Sequence, residues 1–176
     1  MLILEILSIL IFSIMLYQDF RLRAISWILF PVLAIIVIFI ASFELPFKTI
    51  LSFTSFNIIF ITLQLALLTV YFSLKNKKLT LRLDKYIGLG DILLFYVFSL
   101  AFSPMNFIIF FTVSLFIILI TWLIIILIAK PKITTIPLAG AFSVVMIVLL
   151  GIKIFKSEMD FYNDNLLINY LTQIYG

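Results

Sequence analysis

Six apolar runs, near residues 1–18, 27–43, 52–74, 91–104, 106–129 and 137–155, leave almost no chain for water to solvate. An α-helix needs roughly 20 apolar residues to cross a ~30 Å hydrocarbon core. The fourth run is short and approaches that length only if it begins at Ile87, through the glycines. Charged residues make up 11% of the chain and hydrophobic ones 65%, with a mean hydropathy of +1.35. A water-soluble domain carries about 25% charged residues, so the solvent of this chain is expected to be lipid. The expected fold is all-α: a polytopic membrane helix bundle of about six transmembrane helices in one domain, 1–156. Segment 44–56, with Pro46 and two charges, reads as a turn leading into an interfacial stretch. The remaining tail, 157–176, has the spacing of a short amphipathic helix on the membrane surface, with a disordered tail as the alternative.

Basic residues alternate between the loops. Arg21 and Arg23 follow the first run, five more lie in 75–90, and Lys130 and Lys132 follow the fifth, together nine of the 12. The positive-inside rule places these three loops in the cytoplasm and both termini outside. An odd number of spans would spoil the alternation. The first run lacks a basic start and a small-residue cleavage site, so it is expected to stay as a span. The net charge of +4 is explained by this orientation, and no nucleic-acid partner is expected.

The chain has no cysteine and no histidine, which excludes thiolate and imidazole metal sites, thiol nucleophiles and serine–histidine catalysis. Acid–base chemistry falls to the carboxylates or to Lys and Tyr. Two of the carboxylates stand apart: Asp19 closes the first span just before Arg21 and Arg23, and Asp91 opens the fourth inside Gly88-Leu89-Gly90-Asp91. Both belong at the cytoplasmic boundary, whereas Asp84 lies among Arg82 and Lys85 in a solvated loop. Two carboxylates brought close cannot both ionise comfortably, so one keeps a proton. The ionised partner can then draw a proton from water while the protonated one polarises a carbonyl. Gly88 and Gly90 would lend backbone flexibility and let a substrate strand approach Asp91. Two plainer readings stay open: Asp91 as a helix N-cap and Asp19 as an interfacial charge paired with an arginine.

Taken together, the two segments resemble the type IV prepilin leader peptidase family, polytopic membrane aspartyl peptidases with a G-x-G-D motif. Asp19-Phe-Arg21-Leu-Arg23-Ala-Ile25 matches the family's D-x-R-x-R-x-I, and Gly88-Leu89-Gly90-Asp91 its second motif. Ile136-Pro137-Leu138-Ala139-Gly140 looks like the proline-containing lead-in to its last span. The likeness covers nearly the whole chain. It implies a membrane aspartic endopeptidase without metal or cofactor. Asp19 and Asp91 would be catalytic, with Arg21, Arg23, Ile25 and Pro137 supporting the motifs.

The implied substrate is a prepilin-like protein with a basic leader and an apolar helix, cleaved at the cytoplasmic face of the plasma membrane. Ser26-Trp27 stand where the family has Pro-Asn, and Leu93 where a lysine is common. The absence of a cysteine-bearing N-terminal region argues against the family's methyltransferase activity. Presenilin-type proteases share G-x-G-D, but their aspartates lie within the bilayer, and the arginines beside Asp19 favour the boundary. The alternative function is a catalytically inactive relative that serves as a membrane assembly component or small transporter subunit. Gln64, Thr112, Ser114 and Ser143 would be the polar groups available to a transporter.

Overall fold

The computed structural model describes residues 1–77, 87–129, 136–156 and 159–164. Among them the chain forms six α-helices and no strand: α1 (Leu2–Leu22), α2 (Leu29–Glu44), α3 (Phe47–Asn76), α4 (Leu89–Phe98), α5 (Pro104–Ala129) and α6 (Leu138–Phe155). Asp84, Glu158, Lys130, Lys132 and the tail from residue 165 onward lie outside the described residues.

Four helices, α1, α3, α5 and α6, are long and apolar enough to cross a membrane. Large aliphatic and aromatic side chains point away from the bundle along all of them; Ile3, Ile59, Leu127 and Val148 are each more than half exposed. Apolar surface this continuous cannot stand in water. The chain is a helical membrane protein, and lipid covers this face.

The spine of the bundle is the pair α1 and α6. Ser8, Phe12, Met15 and Asp19 are buried at helical spacing along α1, and Ala139, Phe142, Ser143, Met146, Leu150 and Lys153 along α6. Ser8, Ala139 and Ser143 are small, which lets two helices approach closely where no hydrophobic effect drives them together. Phe142 is fully buried among rings of α4 and α5. Its centroid lies 5.3 Å from Phe95, 5.7 Å from Phe98 and 5.7 Å from Phe111. This aromatic cluster locks α4 against α6.

The turn expected in 44–56 falls at Leu45 and Pro46, and α3 starts at Phe47 with Pro46 as its N-cap, because proline's fixed φ suits the residue at a helix start. Two features depart from the sequence expectation. The fourth span, expected over 91–104, is a helix of only 10 residues, about 15 Å long.

Two groups hold the turn that follows α4. Asn57, fully buried within α3, donates from Nδ2 to the carbonyls of Ser99 (3.0 Å) and Phe102 (2.9 Å). Asp164 accepts from Ser103 Oγ and from the amides of Met105 and Asn106, capping α5 from the far end of the chain. Of the tail 157–176 only 159–164 is described, a non-helical strap with Phe161 and Tyr162 buried. The amphipathic spacing expected of the tail falls on residues after 164, outside those described.

The second departure is electrostatic. Lys153, a charge near the end of the run 137–155, is buried in the last turn of α6. It bonds Glu44 Oε1 of α2 at 2.9 Å and lies 3.8 Å from Glu5 of α1, with the Phe161 ring 5.0 Å away. One cation thereby ties three helices together at one end of the bundle. The two aspartates lie at the other end.

Candidate active site

Asp19 is in the last turn of α1 and is buried. Its Oδ2 accepts a 2.6 Å hydrogen bond from the amide of Gly140. Asp91 is in the first turn of α4. Its Oδ1 accepts from the amide of Ala139 at 2.7 Å, and its Oδ2 from the amide of Gly88 at 3.1 Å. Carboxylates from opposite halves of the chain thus meet on consecutive amides of one helix.

The physical reason is the start of α6. Its N-cap is Pro137, with no capping side chain of its own. The first amides of a helix lack intrahelical partners, and their dipoles favour negative charge. Ala139 and Gly140 carry two of these amides, and the two aspartates supply the acceptors. The sequence reading quoted both residues within the proline segment but gave them no role. A backbone donor carries no residue-type signature, and the available signal was a proline followed at once by small residues.

Gly140 is small for a reason. A Cβ there would stand 2.7 and 2.9 Å from two ring carbons of Phe20 and 3.0 Å from Asp19 Oδ2. Gly88 and Gly90, in contrast, need no special backbone freedom. Gly88 has φ −61° and ψ 143°, and no described glycine has a positive φ. Neither of the two adopts a left-handed conformation closed to other residues. Gly88 instead keeps close to Asp91, whose Oδ2 would lie 3.1 Å from an added Cβ. Its helix position also answers the N-cap reading: Gly88 is the N-cap, and Asp91 bonds back to its amide in the manner of a capping box.

The other motif residues frame the pair. Arg23 adopts the left-handed conformation (φ 54°) that ends α1, its amide bonded to the carbonyl of Asp19, and its charge acts on the Asp19 carboxylate. Arg21 lies over the Tyr17 ring at 5.7 Å and takes no part in the carboxylate pair. Ile25 packs where α4 begins, its side chain 3.6 Å from the Cβ position of Gly90. In the divergent turn, Gln18 Oε1 accepts from the amide of Ser26 at 2.8 Å. Trp27 and Leu93 point outward. Gly88 and Leu89 are exposed beside Asp91, so the pair can be approached from that rim.

Ser143 bonds its own helix at the carbonyl of Ala139, while Gln64 and Thr112 line a separate cleft between α3 and α5. Among the described residues, no three potential ligand side chains cluster in a way that would hold a metal ion. Compared with protein-family models, curated proteins and solved structures, the chain matches none.

Proposed function

We propose that the chain is a membrane aspartic endopeptidase. It removes the basic leader of prepilin-like substrates at the cytoplasmic boundary of the plasma membrane, with both of its termini on the far side. One observation carries this reading: Asp19 and Asp91, from helices far apart in sequence, sit side by side on the Ala139 and Gly140 amides. The resemblance of the flanking residues to the prepilin peptidase motifs supports it.

In the proposed reaction the ionised carboxylate takes a proton from water, and the water oxygen attacks the scissile carbonyl carbon. The protonated carboxyl gives its proton to the carbonyl oxygen. Collapse of the intermediate breaks the C–N bond as the departing nitrogen takes the proton drawn from water and a hydroxyl of the intermediate returns one to the other carboxylate, which restores the pair. Such a dyad works at one net negative charge, and the amides and dipole of α6 favour that charge. A basic leader remains cytoplasmic while the apolar helix inserts, which brings the scissile bond to the rim where the pair would lie.

The same bonds also support a second reading. Both aspartates satisfy helix-start amides, so they could hold a non-catalytic assembly or transporter subunit together. Asparagine separates the two: at position 19 its carbonyl oxygen still accepts the Gly140 bond, at position 91 it keeps the shorter Ala139 bond and gives up the one from Gly88, and at neither can it exchange the proton. Candidate prepilin-like proteins co-expressed with the wild type, Asp19→Asn or Asp91→Asn are scored for a leader-length mobility shift. The peptidase loses the shift in both variants while insertion and abundance persist. Cleavage retained in either variant refutes it.

A further inference from the structure

The seam between α5 and α6 is hollow along most of its length. Near the aspartates a cavity of about 180 Å³ lies between Phe20, Trp122, Pro137 and Ala141. Toward the opposite end a cavity of about 630 Å³ is walled by Phe110 and Leu149 and rimmed by Asn106, Lys156 and Asp160. Ile117 and Val145 line both cavities, so the two form one groove. Its near end begins at Phe20, the residue after Asp19, whose ring abuts Gly140. Its wall α6 has 18 residues, about 27 Å, close to the thickness of the hydrocarbon core.

The lining is almost wholly apolar and has a repeat. On α5 it includes Val113, Ile117 and Thr121 at steps of four; on α6, Ala141, Val145 and Leu149 at the same step. Rows at that interval are the ridges between which a third helix interdigitates. We infer that this groove seats the apolar helix of the substrate, with the end that bears the scissile bond against Asp19 and Asp91. The inference rests on the peptidase reading and deepens it by naming where the substrate lies. A helix in this groove has one end at the carboxylate pair and the other beside Asn106, Lys156 and Asp160. Those polar side chains suit the level at which a substrate chain leaves the hydrocarbon core. Lipid acyl chains are the competing occupant, and only a substrate helix seated in the groove would give position-specific cross-links.

The absence of native cysteine makes thiol cross-linking clean. Ile117 and Leu119 are neighbours on α5 with equal exposure, 50% and 51%. Ile117 faces the groove, whereas Leu119 faces the cleft with α3. Ile117→Cys, Val145→Cys and Leu119→Cys are each placed in the Asp91→Asn background, so that substrate is bound but not consumed. The probe is a prepilin-like protein with a basic leader and an apolar helix of about 20 residues, carrying one cysteine at the helix midpoint.

Cross-linked product is expected at residues 117 and 145 in about tenfold excess over residue 119. Equal yields at all three positions overturn the docking site and leave the groove to lipid. Cleavage by the cysteine-free parent is measured alongside, with and without Asp91→Asn. If cleavage depends on Asp91 while the yields are equal, only the docking site falls. If cleavage survives Asp91→Asn, the peptidase reading falls and this inference with it.

Discussion

Replacing Gly140 with alanine adds one methyl group at the point where α1, α6 and the carboxylate pair converge. The new carbon would stand 2.7 and 2.9 Å from the Phe20 ring and 3.0 Å from Asp19 Oδ2. Carbon atoms prefer separations of about 3.5–4.0 Å, so something must move by about 1 Å. Phe20 is half exposed and can swing, but it is joined directly to Asp19. The other way out is for α6 to retreat from α1. Either movement strains the 2.6 Å bond between Asp19 and the Gly140 amide. Overpacking of this kind costs about 1–3 kcal/mol, and displacing a reacting group by about 1 Å slows chemistry roughly 100-fold. Gly140→Ala is therefore expected to insert and fold with a lowered thermal midpoint in detergent and, if the proposed peptidase function holds, to remove leaders roughly 100-fold more slowly. The paired assays are leader removal in membrane vesicles and thermal unfolding of the purified protein. A wild-type cleavage rate together with a wild-type unfolding curve would refute the close approach, and with it the role given to this amide.

Gly90→Ala tests the converse: the nearest atoms to its Cβ position are at 3.6 Å, an ordinary contact, so stability should stay within about 0.5 kcal/mol and leader removal should persist. Lys153→Met leaves Glu5 and Glu44 together without their cation, an expected loss of about 3–5 kcal/mol in thermal or denaturant unfolding; adding Glu5→Gln and Glu44→Gln should restore much of it. Asp164→Ala removes the cap of α5 and should cost about 1–2 kcal/mol, read by the same unfolding measurement, with the carboxylate pair unaffected at the opposite end of the bundle.

The helices themselves were legible because apolar runs of near-spanning length have few other ways to be stable. What defined their ends was less visible. The turn that follows α4 is held by Asn57 and Asp164, one an amide side chain inside an apolar run and the other beyond the last span. Neither has local meaning until the fold brings it to the α4–α5 turn. Asp19 and Asp91 stood out because each is a carboxylate at the edge of an apolar run, and a shared depth suggested a shared place. The structure brings them together, but through a third party, the α6 amides, to which side-chain chemistry gives no clue. The Glu5–Lys153–Glu44 cluster was missed for a related reason. Its members are scattered over the first, second and sixth runs and none belongs to a motif, although the alternation of spans puts all three on the same expected side of the membrane, which was the signal available.

That cluster and the aspartate pair together fix how α1 and α6 slide against each other. The helices run antiparallel, joined at one end by Glu5 and Lys153 and at the other by Asp19 and Gly140. Fourteen residues separate Glu5 from Asp19 and thirteen separate Gly140 from Lys153, which at 1.5 Å per residue gives spans of about 21 and 20 Å. The two tie points are matched in height to within about one residue's rise. A slip of a full turn, about 5.4 Å, would strand a buried lysine among apolar side chains at one end and pull a carboxylate off its amide at the other. Packing between apolar faces in lipid gives little register of its own, because one aliphatic contact is much like the next. The position of Asp19 beneath α6 is thus set partly by an ion cluster on the opposite side of the hydrocarbon layer. The geometry of the carboxylate pair accordingly depends on residues that never touch it.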